Sequence, residues 1–246
     1  MKGLKKVIIK SLSVMLAVVL TLTAAPLSGF VGLELPEWLD FSIMSSAAET
    51  SGTSGENLSW TFDESMGTLI ISGTGAMIND GYGYEDTWNG YDDNIKSVII
   101  NDGVTSIGDG SFKDFNNLTS VTIGEDVTII GFNAFRDCVN LKNIVIPNGV
   151  NTIGKYAFDG CESLENITIG SGVQSIGEDA LYWCDSLINI IVDSNNQYYS
   201  SDKYGALFDK EKTMLIQYPK ANDQTSYVIP NSVIEISDGA FARCPR

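Results

Sequence analysis

The side chains able to do chemistry in this sequence are four cysteines, Cys138, Cys161, Cys184 and Cys244, and a surplus of carboxylates: 31 Asp and Glu against 15 Lys and Arg in 246 residues. Histidine is absent, which excludes Ser-His-Asp and Cys-His triads, His-ligated zinc and imidazole acid-base steps. A formal charge of -16 opposes nucleic-acid binding, which needs clustered Lys and Arg to release counterions. A carboxylate pair could hydrolyse a glycoside, but no acidic pair stands in a recognisable motif. In the acidic, aromatic stretch Asn79 to Asn94, the residues Asp80, Glu85, Asp86, Asp92 and Asp93 are hard oxygen donors that could hold calcium. Their spacing is not that of an EF-hand loop. A solvated loop with Trp88 and Tyr91 packed on the residues that follow is the preferred reading.

The cysteines point away from themselves, toward a repeat. Cys138, Cys161 and Cys184 are separated by 23 and 23 residues, and Cys244 follows after 60. Written in blocks of 23 from Ile95, the chain places Ile95, Leu118, Leu141, Leu164 and Leu187 first in successive blocks. Position four holds Val98, Val121, Ile144, Ile167 and Ile190, and position six Ile100, Ile123, Ile146, Ile169 and Val192. That alternation predicts a strand. Val104, Val127, Val150 and Val173 follow at position ten, then Ile107, Ile130, Ile153 and Ile176 at thirteen. Gly108, Gly131, Gly154 and Gly177 come next, where a positive φ or tight turn is expected. Phe112, Phe135, Phe158 and Leu181 occupy position eighteen, and Phe115 precedes the three cysteines at position twenty-one.

Each block reads as one coil of a solenoid, because one coil cannot bury its apolar edge and stacked coils can. The fold class expected is a repeat solenoid of leucine-rich-repeat type. It has a parallel sheet on the concave side, short turns or single-turn helices on the other, and an N-terminal β-hairpin cap. Phe115 in the cysteine slot favours a small buried hydrophobe there. A disulfide between adjacent rungs, or metal or redox work, stays open, since stacked Cα atoms fall within disulfide range.

The pattern, shown best by Leu141 to Cys161 (LKNIVIPNGVNTIGKYAFDGC), resembles the BspA-like leucine-rich repeats of exported bacterial and protozoal proteins. Position nine holds Gly103, Asp126, Gly149 and Gly172 in place of the asparagine ladder of commoner leucine-rich repeats. The resemblance implies a secreted or cell-surface bacterial protein that adheres to a protein or cell-surface ligand and is not an enzyme. The alternative kept is a targeting or spacer region of a longer exported enzyme acting on cell-wall or dietary polysaccharide.

Domains follow from the same pattern. Lys2, Lys5, Lys6 and Lys10 precede the uncharged stretch Leu12 to Ala25, the form of a secretory signal too short for a spanning helix. Cleavage is placed after Ala48 in preference to Ala25, giving a signal over 1–48 and no membrane insertion once it is removed. Residues 49–94 are the cap, with a hairpin around Asp63 to Met66. Residues 95–246 are the solenoid, with an inserted hairpin at about 193–226 that carries Tyr198, Tyr199 and Tyr204, and Tyr218 beside them. These tyrosines pack the insert or, less favoured, stack on a ligand. The period resumes in the segment ending at Cys244. Ile229, Ile236 and Phe241 then lie in a terminal coil open on one side, so a continuing chain or a covering partner is expected.

Positions three and five point away from the core. Ser97, Ser120, Asn143, Asn166 and Asn189 form one ladder, and Ile99, Thr122, Val145, Thr168 and Ile191 the other. Solenoids bind partners through such faces, so the candidate binding residues are Ser97, Ser120, Thr122, Asn143, Val145, Asn166, Thr168 and Asn189. Mutual satisfaction of Ser and Asn side chains is the competing explanation. No catalytic or metal-ligating residue and no cofactor is assigned, calcium aside.

Overall fold

The computed structural model describes residues 50–78, 88 and 91–244. The signal and its cleavage sites lie outside them, as do Asp80, Glu85 and Asp86 of the calcium reading. Among the described residues the chain forms β-strands joined by turns, with one 3-10 turn at Asp92–Asn94 and no α-helix. The side of each coil opposite the main sheet is thus made of turns.

β1 (Thr50–Gly55) and β2 (Leu58–Asp63) pair antiparallel, and β2 pairs antiparallel with β3 (Thr68–Gly73). The Asp63 carboxylate closes the β2–β3 turn by accepting from the Ser65 and Met66 amides. β3 then pairs in parallel with β5 (Ser97–Ile100), setting Leu69 beside Val98 and Ile71 beside Ile100. β3 is therefore a rung of the solenoid, 29 residues ahead of β5 instead of 23. Further rungs follow at β7 (Ser120–Ile123), β9 (Asn143–Ile146), β11 (Asn166–Ile169) and β13 (Asn189–Val192), with β5 on β7 and β9 on β11 on β13 in the same register. Each pairing joins equivalent block positions, so every side chain of the repeat meets its own copies and the apolar ones form continuous columns.

A second parallel column closes the coil. It runs through β4 (Gly75–Ala76), β6 (Val104–Ile107), β8 (Ile129–Ile130), β10 (Thr152–Ile153) and β12 (Ser175–Ile176). The Val column at position ten and the Phe column at position eighteen are fully buried between the two sheets and the turns. Phe112, Phe135 and Phe158 stack face to face, with ring centroids 5.1 and 5.4 Å apart. Full burial of one such side chain stabilises by about 1.5–3 kcal/mol, so the columns carry the fold.

The glycines after position thirteen act differently from the expectation of a positive φ. None of Gly108, Gly131, Gly154 and Gly177 lies in the left-handed region. Glycine is needed there because backbones of successive coils touch: a Cβ on Gly154 would come within 2.6 Å of the Gly131 carbonyl carbon. The left-handed residues sit two and six positions later. Gly110, Asn133, Tyr156 and Asp179 have φ of 63, 55, 58 and 56°, and Asp114, Asp137, Gly160 and Trp183 have 64, 59, 74 and 57°. This winding turns alternate N–H groups toward the following coil. Asn133, Phe135 and Asp137 donate to the carbonyls of Lys155, Ala157 and Asp159, and Tyr156, Phe158 and Gly160 to those of Glu178, Ala180 and Tyr182. The hydrogen bonds repay the strain of the left-handed turns.

After β13 the chain leaves the period at Asn196, which stands 23 residues after Val173 in the valine column. Its buried side chain donates to the Gly170 and Val173 carbonyls, both at 2.9 Å, and accepts from the Tyr198 and Tyr199 amides, both at 2.8 Å. The insert that follows is a sheet in which β14 (Tyr199–Ser201) pairs antiparallel with β15 (Leu207–Asp209) and β15 with β16 (Met214–Gln217). β16 pairs in parallel with β17 (Glu235–Ile236) of the last coil. Ala206, Phe208, Leu215, Tyr218 and Ala240 form a small apolar cluster of their own, apart from the main core that runs from Leu58 to Leu207.

Candidate functional site

The outer strand face is built as its register requires. Asn166 donates through Nδ2 to Asn143 Oδ1 at 2.9 Å, and Asn189 to Asn166 Oδ1 at 3.1 Å. The Ser120 hydroxyl donates to that of Ser97 at 3.1 Å. Position three is thus a pair of short hydrogen-bonded ladders, one of serine and one of asparagine. At position five Val145 is 62% and Ile191 49% exposed, and Thr122 is exposed between rungs whose own position-five residues are half-buried or apolar. The structure therefore brings all eight candidate residues onto one face as an amide and hydroxyl stripe beside a partly apolar one. The amides are fixed by one another, which orders the surface before any ligand arrives.

The cysteines lie behind this face, in the core. Cys138, Cys161 and Cys184 are free, fully buried, and donate through Sγ to the carbonyls of Phe112, Phe135 and Phe158 at 3.1 to 3.2 Å. Burial pushes each thiol up, Cys184 to about 12. A protonated, buried thiol is neither a nucleophile nor a metal ligand. Cys244, half-buried, is also free.

A second feature, not foreseen from the sequence, is a cleft of about 980 Å³ between the turns after β12 and the inserted sheet. Its walls include Ile176, Tyr198, Tyr199, Met214, Ile216 and Ile236, with the carboxylates of Glu178, Asp179, Asp209, Glu235 and Asp238 around them. The Tyr199 hydroxyl accepts from the Ile176 amide at 3.0 Å, and burial raises its pKa. The Asp209 carboxylate is pulled up by desolvation but held below its ordinary value overall by hydrogen bonds from Met214 and Thr213 in its own turn. The other tyrosines of the insert pack inward: Tyr218 stacks on Phe241 and meets Tyr227, which in turn contacts Tyr204. Tyr198 remains 48% exposed.

Among the described residues no three Cys, Asp or Glu side chains are grouped to hold a metal ion. Of the calcium candidates only the side chain of Asp93 is described, and it is exposed. No helix among the described residues is long and apolar enough to cross a membrane.

Two stacked columns of parallel strands, closed by turns and filled by repeat columns, define a leucine-rich-repeat solenoid. The repeats are of the BspA type: residues 89–206 match the BspA type leucine rich repeat region in six copies. Among solved structures, the chain is similar to a leucine-rich repeat protein from Eubacterium ventriosum. The TM-score is 0.64 with 30% identity, over 80% of this chain and 58% of that one. The fold also matches a leucine-rich repeat protein from Bacteroides ovatus, with a TM-score of 0.50 and 19% identity over 77% and 56% of the two chains. The chain thus spans less than two thirds of the length of either. No curated protein shows significant sequence similarity to it.

Proposed function

We propose that this chain is an exported interaction module that adheres to a protein or cell-surface ligand through the outer strand face and performs no catalysis. The observation that carries the reading is the Asn143–Asn166–Asn189 ladder beside exposed Val145 and Ile191. A regular, prearranged stripe of amide and apolar groups gives up little side-chain entropy on binding. The basic and then apolar amino terminus supports export.

The test is binding of the full chain to immobilised extracellular-matrix proteins and to bacterial surface fractions, with and without Asn143→Arg, Asn166→Arg and Thr168→Arg. Loss of binding by the triple variant, with its unfolding midpoint retained, is the expected result; unchanged binding refutes this face. Export is checked separately by sequencing the amino terminus of the protein recovered from the medium of an expressing bacterium, where Glu49 is expected first.

A further inference from the structure

Among the described residues, the turn column that joins successive coils is interrupted at the coil of Cys184. Its donors in the coil of Cys184 are the amides of Asp179, Leu181 and Trp183, the counterparts of Tyr156, Phe158 and Gly160. Among the described residues these three have no acceptor. The column resumes only at Tyr218, whose N–H donates to the Ala240 carbonyl at 2.8 Å. Asp179 and Leu181 line the cleft described above, and Trp183 continues the same turn just past its wall.

The same break uncovers the isoleucine column: Ile107, Ile130 and Ile153 are at most 2% exposed, whereas Ile236 is 47% exposed and Ile176 half-buried. Charge is one-sided as well. No Lys or Arg lines the cleft. Glu178 is paired with Lys155 and Asp209 is held in its own turn, but Asp179, Glu235 and Asp238 have no ion-pair partner among the described residues.

We infer that this cleft binds a peptide segment bearing Lys or Arg, wound as the turn of a following coil is wound. Its alternate carbonyls take the N–H groups of Asp179, Leu181 and Trp183 as the next coil would, and its cationic side chains face Asp179, Glu235 and Asp238. The donor row selects a polypeptide, because between neighbouring coils the same three positions are met by the carbonyls of residues i, i+2 and i+4 in the turn of the following coil. The carboxylates select the side chains. Apolar side chains pointing inward meet Ile176, Ile216 and Ile236. A neutral sugar would leave the charge of Asp179, Glu235 and Asp238 uncompensated. This site is independent of the strand ladders and stands or falls without them.

The test uses the full chain and a capped eight-residue peptide of alternating Lys and Thr, followed by fluorescence anisotropy. Backbone amide NMR shifts are read in parallel, with the corresponding Glu-Thr peptide and cellohexaose as comparison ligands. The Lys-Thr peptide is expected to bind saturably and to shift the amides of Asp179, Leu181 and Trp183. The triple change Asp179→Asn, Glu235→Lys and Asp238→Lys is expected to weaken it about tenfold or more at low salt, with the unfolding midpoint retained. Absence of saturable binding, equal binding of the Glu-Thr peptide, binding that leaves those three amides unmoved, or cellohexaose shifting them in place of the peptide would each overturn the proposal.

Discussion

The indole of Trp88 lies face to face with Phe112, ring centroids 5.3 Å apart and planes 3° from parallel, and its N–H donates to the Ser111 carbonyl at 3.0 Å. Trp88 thereby extends the Phe112–Phe135–Phe158 column into the coil that β3 begins. Trp88→Ala should lower stability in urea by about 3–5 kcal/mol, the usual cost of emptying a large aromatic site. Trp88→Phe, which keeps the stack and loses the hydrogen bond, should cost about 1 kcal/mol. Equal costs for the two variants would remove Trp88 from the column.

Gly154→Ala tests the contact between coils. Since φ at Gly154 is not in the left-handed region, any destabilisation comes from the Cβ meeting the Gly131 backbone. A loss of about 1–3 kcal/mol is expected, as for other overpacked sites. Gly110→Ala, at a left-handed position with φ of 63°, should cost about 1 kcal/mol through backbone strain instead. Urea unfolding of both variants separates the two causes.

Asn196→Leu should be more harmful than its buried volume suggests. Leucine suits the valine column but strands the Val173 carbonyl and the Tyr198 and Tyr199 amides, and leaves the Gly170 carbonyl only its long bond from Val173 N–H. Leaving even one buried polar group unpaired costs about 1–3 kcal/mol. Calorimetry should show a lowered transition, and hydrogen exchange should show faster exchange at Tyr198 and Tyr199.

The thiol column sets an alkaline limit. In the unfolded chain a cysteine ionises near its ordinary value of 9.0, whereas burial holds Cys184 protonated up to about 12 and raises Cys138 and Cys161 as well. The stabilisation is present in full below the unfolded value and is lost as pH rises through the interval above it. By about pH 10 each thiol should cost about 1 kcal/mol. The drop in urea midpoint from neutral to alkaline pH should shrink when the three are replaced by Ala. In the native state iodoacetamide should modify Cys244 first.

Much of this fold was legible because the repeat makes burial periodic: Val104, Ile107, Phe112 and their copies are buried where the block positions place them. The outer ladders were legible for the same reason, since a strand with positions four and six inward must turn three and five outward. What escaped was set by contacts between backbones. The left-handed positions hold residues as different as Asn133, Tyr156 and Trp183, so no local preference marks them; they are imposed by hydrogen bonding to the next coil. The rung at β3 escaped because its coil is 29 residues long and puts Trp88 where the later coils put Phe. The cleft escaped because it arises from a missing partner for Asp179, Leu181 and Trp183, and an absent neighbour leaves no mark in the composition of the residues it would have met.

The division of the apolar interior also governs how the molecule yields to force. Stacked coils share stability through nearest neighbours, so a pull on the carboxyl end is resisted only as far as the side chains interlock. The small cluster around Phe208, Leu215 and Tyr218 is separate from the main one, and the turn column does not bridge the two at Leu181. The terminal segment is therefore expected to open before the main core does. Under tension it peels away first, while the rungs from β3 to β11 hold their shape.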